Sequence, residues 1–217
     1  MEVGAKDSSV AELQREEVIN SIVSENNLRF EDALKTRERS APPAIFDEAL
    51  VALIPRALYQ KSSDPTKIEP YIWRPLPERV FFDVVGFYSR RRDRNPVKDR
   101  MLSCSIDTLR THPQTLIVGD FNVGLGLKRR GVGREFYDRL EHVARALGFR
   151  FILGENSIDN IDFFIEKLGR TRLVDIKPDL WSQIIPPHKS SKKEGINPNL
   201  TTVQFLNPED KSTFAID

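Results

Sequence analysis

A chain of 217 residues, 39% apolar and 30% charged, has the make-up of an ordinary globular protein with one good-sized core. Its 33 Lys and Arg stand against 32 Asp and Glu, so bulk charge points to neither a nucleic-acid coat nor an acidic partner. The single Cys104 excludes an intramolecular disulfide, and the three histidines (His112, His142, His188) show no metal-ligand spacing. No apolar run approaches the ~20 residues of a membrane span, so the expectation is a cytoplasmic protein that uses neither metal nor membrane.

Residues 8–26 place Val10, Leu13, Val18, Ile19 and Ile22 near helical spacing, which predicts a helix capped by Ser8 or Ser9. A charged stretch and "APP" at 41–43 then interrupt it. Residues 44–60 predict a second helix broken at Pro55, and the proline-rich 61–78 predict irregular or edge structure. "RVFFDVVGFYS" (79–89), "RMLSCSIDTLR" (100–110) and "QTLIVGDFNVG" (114–124) read as strands, with "THPQ" the turn between the last two.

From Val132 the apolar positions Val132, Phe136, Leu140, Val143, Ala144 and Leu147 form one helical stripe, stopped by Gly148. Residues 149–156 predict a strand, 157–169 a helix capped by Ser157 and ended by Gly169, and 171–176 another strand. A polar loop (186–199) precedes a last strand at 200–206. The order of elements implies a mixed α/β sheet.

Between strand and helix lies "VGLGLKRRGVGR", residues 123–134. A dinucleotide fingerprint would need glycine where Arg129 stands, and a Walker A loop would need Lys-Ser/Thr where Val132 and Gly133 stand. What remains is a cationic turn at a helix start. Such a start exposes peptide N–H groups and the positive end of the helix dipole. Gly131 and Gly133 would let a ligand approach the amides of residues 131–134, and Lys128, Arg129 and Arg130 add charge beside them. With Val132 and Arg134 completing the turn, this is a cradle of pyrophosphate size. The runs "SRRRDR" (89–94) and "KSSKK" (189–193) read as solvated faces. Lacking interleaved aromatics, they argue little for nucleic acid.

The segment "KRRGVG" (128–133) resembles motif A of the GNAT-superfamily acyl-coenzyme A transferases, [RQ]-x-x-G-x-[GA], with Lys128 at the Arg/Gln position and Leu125 at the usual proline. "NIDFFIEKLG" resembles the family's later helix, with Asn160 as its asparagine. The resemblance covers about 115–176 and hardly touches residues 1–75. It implies a GNAT-like fold with a splayed central strand pair, as a domain over 44–217 behind a helical extension over 1–43. It implies acyl transfer from acetyl-coenzyme A, or another acyl-coenzyme A, to an amine on a small molecule or protein, with a homodimer an allowed assembly. In that family the main chain near Val123 and Leu125 pairs with the pantetheine amides, and Asn160 joins the cofactor-binding set.

The catalytic groups depart from the pattern. By alternation, Ile117, Gly119 and Phe121 share a face with Val123, and none titrates. Asp120 is the only acid on that strand and points the other way. Glu155, ending the next strand, is the better candidate base, with a solvated strand-end carboxylate the alternative reading. Ile165 stands where the family often carries a Tyr acid. Positioning with water-borne proton transfer is one consequence, and a non-catalytic acyl-coenzyme A-binding module is the other.

Overall fold

A computed structural model of the chain describes residues 3–35, 50–62, 64–73, 82–89, 100–109, 112–124, 127–185, 196–214 and 216. Leu125, the basic run at 189–193, that at 89–94 beyond Ser89, and most of the 186–199 loop lie outside these residues, as does the side chain of Asp120. The first helix, α1 (Val3–Lys35), is longer than the predicted 8–26 at both ends, and Ser8 and Ser9 lie within it rather than capping it. The charged stretch after residue 26 does not stop it. A stripe runs on through Ile19, Ile22, Val23, Phe30 and Leu34, with Ile19 and Phe30 buried in the main core. Leu13 and Val18, counted in the predicted stripe, are 66% and 42% exposed.

The expected break at Pro55 is present. A 3₁₀ turn (Leu50–Leu53) leads to Pro55, whose extended backbone starts the short α2 (Arg56–Lys61). Both ends of α2 are held from outside. The Glu135 carboxylate accepts from the backbone N–H of Arg56 at 2.5 Å and of Ala57 at 3.3 Å. At the other end the Arg15 guanidinium donates to the carbonyls of Tyr59, Gln60 and Ser62.

Seven strands form one sheet: β1 (Ile68–Trp73), β2 (Phe82–Ser89), β3 (Arg100–Leu109), β4 (His112–Val123), β5 (Phe151–Glu155), β6 (Thr171–Arg172) and β7 (Thr201–Phe205), in the order β1-β2-β3-β4-β5-β7-β6. β1 through β4 form an antiparallel meander, and β4 and β5 are the parallel pair, joined by the crossover helix α3 (Val132–Ala146). Pro70 is tolerated because β1 is an edge. His112, Pro113 and Gln114, read as turn, belong to β4, and Leu109 already faces His112.

One face of the sheet, including Leu116, Val118 and Ile152, packs under α1, α2 and α3, where Phe136, Leu140 and Ala144 are fully buried. The other face buries Ile117, Phe151, Leu153 and Val203 against Leu173, Ile176, Ile184 and Phe214. Three C-terminal expectations are corrected. Residues 157–169 form a turn and a single π-helical turn (Phe163–Lys167), ended by Gly169 at φ 65° as expected. Ser157 makes no side-chain cap there; its carbonyl accepts from the Asn160 N–H. The strand at 171–176 is only two residues, because the chain coils at Leu173–Asp175 to bury Leu173 and Ile176. After the short α4 (Trp181–Ile184) and β7, an unexpected α5 (Pro208–Phe214) buries Phe214 and pairs Asp210 with Arg150 at 2.7 Å.

Candidate acyl-donor site at a parted strand pair

β4 and β5 are in register from Thr115 opposite Phe151 to Val118 opposite Gly154. β4 continues to Val123, while Glu155 pairs with Thr201 of β7 alone. Residues 119–123 are therefore outside the β4–β5 ladder, and the two strands are unpaired beyond Gly154. On the other side of β4, Ser105 faces Gly119 and Ser103 faces Asn122, so between them one residue of β3, Cys104, opposes two of β4. That extra residue is a β-bulge, a device that re-aims the side chains after it.

The bulge overturns the alternation argument. Ile117 belongs to the core on the far face, and a Cβ on Gly119 would lie 2.9 Å from Ser105 Oγ and 3.7 Å from Glu155 Oε2. Phe121 and Val123 instead turn towards α3. The Phe121 ring lies 5.4 Å from that of Phe136 and 4.8 Å from that of Tyr137. The exposed Glu155 thus reaches across towards Gly119 on the face opposite α3.

Directly after β4 the chain tightens. The Leu127 N–H donates to the Gly124 carbonyl at 2.8 Å, Arg129 has φ 61°, and Gly131 has φ 79° at the start of α3. The first bond of that helix runs from the Glu135 N–H to the Gly131 carbonyl at 2.9 Å, so the amides of Val132, Gly133 and Arg134 precede its ladder. Lys128, Arg129, Arg130 and Arg134 are exposed around them. Open space lies where a Gly131 Cβ would be. At Gly133 the corresponding space is bordered by Phe121 at 3.4 Å and Phe163 at 3.5 Å, so its missing side chain serves packing within the protein. Val132 anchors the turn, 1% exposed in the core.

Asn160 precedes by three residues Phe163, which borders Gly133. Its N–H and carbonyl are used in the turn, but its Oδ1 is buried with no hydrogen-bond partner among the described residues. A group carrying amide N–H donors and a diphosphate fits these residues: the first kind of donor would satisfy Oδ1, and the second would take the helix start and its four cations. Among the described residues no three His, Cys, Asp or Glu gather as metal ligands, and no helix is long and apolar enough to cross a membrane. Sequence reasoning missed two features, the bulge and Arg170. The lone glycine in "FILGE" was the available signal for the second, because an isolated strand glycine marks a close approach.

Among the described residues the mixed sheet has one parallel pair, β4 and β5, which part beside a cationic helix start. Among solved structures the chain is similar to Tetrahymena GCN5, with a TM-score of 0.41 and 12% identity over 58% of this chain and 69% of that one. It is similar to an acetyltransferase of the GNAT family from Staphylococcus aureus Mu50, with a TM-score of 0.38 and 14% identity over 58% and 68%. A third is N-acetylglutamate synthase from Neisseria gonorrhoeae, solved with coenzyme A and N-acetyl-glutamate; its TM-score is 0.41 at 16% identity over 73% of this chain and 32% of that one. No family model matches the chain, and no curated protein matches it. Overlaps of this size say nothing of activity.

Proposed function

We propose that the protein is an acyltransferase moving a short acyl group from an acyl-coenzyme A to an amine. What supports the reading is the parting of β4 and β5 beyond Gly154, immediately beside a glycine-bearing, cationic helix start. An acyl-coenzyme A thioester supplies the acyl group when bound. In this reading the amides of residues 131–134, with Lys128, Arg129, Arg130 and Arg134, hold its diphosphate. The main chain at Val123 and the Asn160 side chain hold its amide-bearing arm, and residues 119–123 line a slot between β4 and β5 that receives its acyl end.

The exchange makes one C–N bond, breaks one C–S bond and passes a proton from the amine to the departing sulfur. The amine must be neutral to attack. In this reading Glu155, whose carboxylate lies beside Gly119 on the face away from α3, takes that proton. Asp120 sits in the bulged stretch as the second acid of this neighbourhood. A β4 peptide N–H aimed into the slot would stabilise the oxygen that gains charge.

Isothermal titration with coenzyme A and acetyl-coenzyme A tests the reading: saturable one-to-one binding supports it, and no binding by folded protein ends it. Glu155→Gln should lower kcat by about a hundredfold, measured by thiol release against an amine panel, without moving KM for the donor. Binding without turnover against every amine would favour the second reading, a non-catalytic acyl-coenzyme A-binding module. The observation on its side is the half-buried Ile165 on the π-helical turn, whose side chain has no proton to give a thiolate.

A further inference from the structure

Past its first turn, α3 presents a second polar side. Glu135, Asp138, Arg139 and His142 recur at the three- and four-residue spacing that puts them on one side of the helix. There α3 meets α1 and the 3₁₀ turn before Pro55, and the three elements border a groove of about 380 Å³. Its floor is apolar: Phe30, Ala52 and Val143 line it and are 3%, 6% and 1% exposed. The His142 ring stands edge-on to that of Phe30, with centroids 5.9 Å apart. A groove of this volume lies in the range of small-molecule clefts, where apolar walls bury a ligand's body and a few polar groups fix it.

The polar groups set the sign of that ligand. Arg139 is engaged within the protein: its Nη1 donates to the Ala52 carbonyl at 3.1 Å, and its Nε and Nη2 donate to Glu135 at 3.2 and 3.1 Å. Glu135 is engaged by Arg139 and by the first amides of α2. Two carboxylates remain, Glu31 on the α1 wall and Asp138 on the α3 wall. Glu31 makes no ion pair among the described residues, and Lys35, one turn on, is taken by Asp32 at 2.9 Å. Among the described residues Asp138 is approached only by Arg134, at 4.0 Å with both side chains exposed, a geometry in which an ion pair contributes little. The Asn27 carboxamide, on the same wall as Glu31, adds a third polar group. The groove floor shares the core on the α3 side of the sheet, whereas Glu155 lies beside Gly119 on the other face.

We propose that this groove binds a small organic cation, an ammonium group on an apolar body, at a site separate from acyl transfer. The body lies on Phe30, Ala52 and Val143, and the ammonium sits between the two carboxylates. Its three N–H donors match the acceptors of Glu31, Asp138 and Asn27. Such bonds are charge-assisted on both sides. An anionic ligand meets two like charges there, and a neutral one forgoes both pairs. Two carboxylates from different helices, with no third His, Cys, Asp or Glu gathered beside them among the described residues, suit an ammonium better than a bare metal ion.

Isothermal titration of the full chain with phenethylammonium, and with its neutral isostere phenethyl alcohol, decides the matter, and amide shifts of the isotope-labelled protein locate the ligand. The ammonium should bind one-to-one and at least about tenfold more tightly than the alcohol, with shifts centred on Asn27, Glu31, Asp138 and His142. Glu31→Gln combined with Asp138→Asn should bring the two affinities together. Both side chains are exposed, so this variant should keep the wild-type urea midpoint. No saturable binding of the ammonium, or equal affinity of the wild-type chain for the two ligands, overturns the proposal whatever the variant does. A preference retained by the double variant overturns it too, as do shifts centred on Gly119 and Glu155. A wild-type chain that elutes as a dimer, beside a monomeric double variant, gives the groove to a second copy and overturns it. Coenzyme A binding, present or absent, does not enter any of these outcomes.

Discussion

Gly131 and Gly133 stand two residues apart and answer to different constraints. Gly131 is left-handed at φ 79° with open space above it, so a side chain there meets no atom but an unfavourable backbone. Gly133 has ordinary helical backbone and two aromatic rings at van der Waals distance. Gly131→Ala should therefore cost about 1 kcal/mol, while Gly133→Ala, which gains helix propensity, should stay within about 0.5 kcal/mol of wild type in urea unfolding. An unaltered Gly131→Ala would show that the left-handed turn is not required. Gly131→Glu should abolish coenzyme A binding, because its carboxylate enters the space meant for phosphate; retained affinity would move the donor site elsewhere.

Burial also sets a pH limit at this scale. It pushes the Cys104 thiol well above its ordinary 9.0, and raises the Tyr59 phenol from 10.0 to about 12 against the lowering effect of the Asn26 hydrogen bond. Both groups ionise first in the unfolded chain. Below about pH 9 neither state is ionised and the stabilisation is complete; above it the unfolded state holds fewer protons, so stability falls as pH rises. The urea midpoint should be flat from pH 7 to 8 and lower at pH 10. Cys104 should resist thiol reagents until the protein unfolds. A midpoint that rises towards pH 10 would contradict the burial of these groups.

At the scale of elements, α2 shows how a segment too short to stand alone is kept helical. Six residues are well below the length at which isolated helices persist in water. Its first amides are taken by Glu135 of α3 and its last carbonyls by Arg15 of α1. Glu135 also accepts from Arg139, one turn on in α3, at 3.1 Å, so its carboxylate serves both α2 and α3, whereas Arg15 holds only the other end of α2. Both substitutions to Ala should destabilise, Arg15→Ala by about 1 kcal/mol and Glu135→Ala by about 2 kcal/mol, read in urea unfolding. Equal costs would mean that the α3 contact carries no more than the α1 contact.

What the sequence disclosed at this scale follows from how local each signal is. The stripe from Val132 and the stop at Gly148 sit within one helix, so α3 was legible to the residue. The continuation of α1 was not, since Ile19 and Phe30 join one core across eleven positions of mostly polar chain. Residues 157–169 carry the apolar spacing of a helix, yet Phe163 and Phe164 are drawn to Gly133 and Tyr137 of another element, which the spacing alone does not show. The cationic helix start was readable because its glycines, cations and first helical residues are contiguous. The bulge was not, because alternation assumes one residue opposite one, and Arg170 meets Gly154 only in space.

For the whole molecule, a net charge of +1 means that little long-range field steers an anionic ligand; attraction is confined to the four exposed cations of the cradle. Ligand binding should therefore depend on salt while the free protein does not. At one hundred times its Kd, coenzyme A adds about 2.7 kcal/mol to stability, which for a chain of 217 residues raises Tm by about 5–11 °C. Raising ionic strength from about 0.1 M to about 1 M shortens the screening length from about 10 Å to about 3 Å. Over that range the rise caused by a fixed coenzyme A concentration should shrink, because exposed Lys128, Arg129, Arg130 and Arg134 are screened from the diphosphate. The Tm without ligand should stay nearly level, since the parting of β4 and β5 lies over a mainly apolar core. Differential scanning calorimetry at the two ionic strengths measures both. A coenzyme A shift indifferent to salt would place the donor's anchoring on neutral contacts in the slot, and the cationic turn would lose its part in recognition.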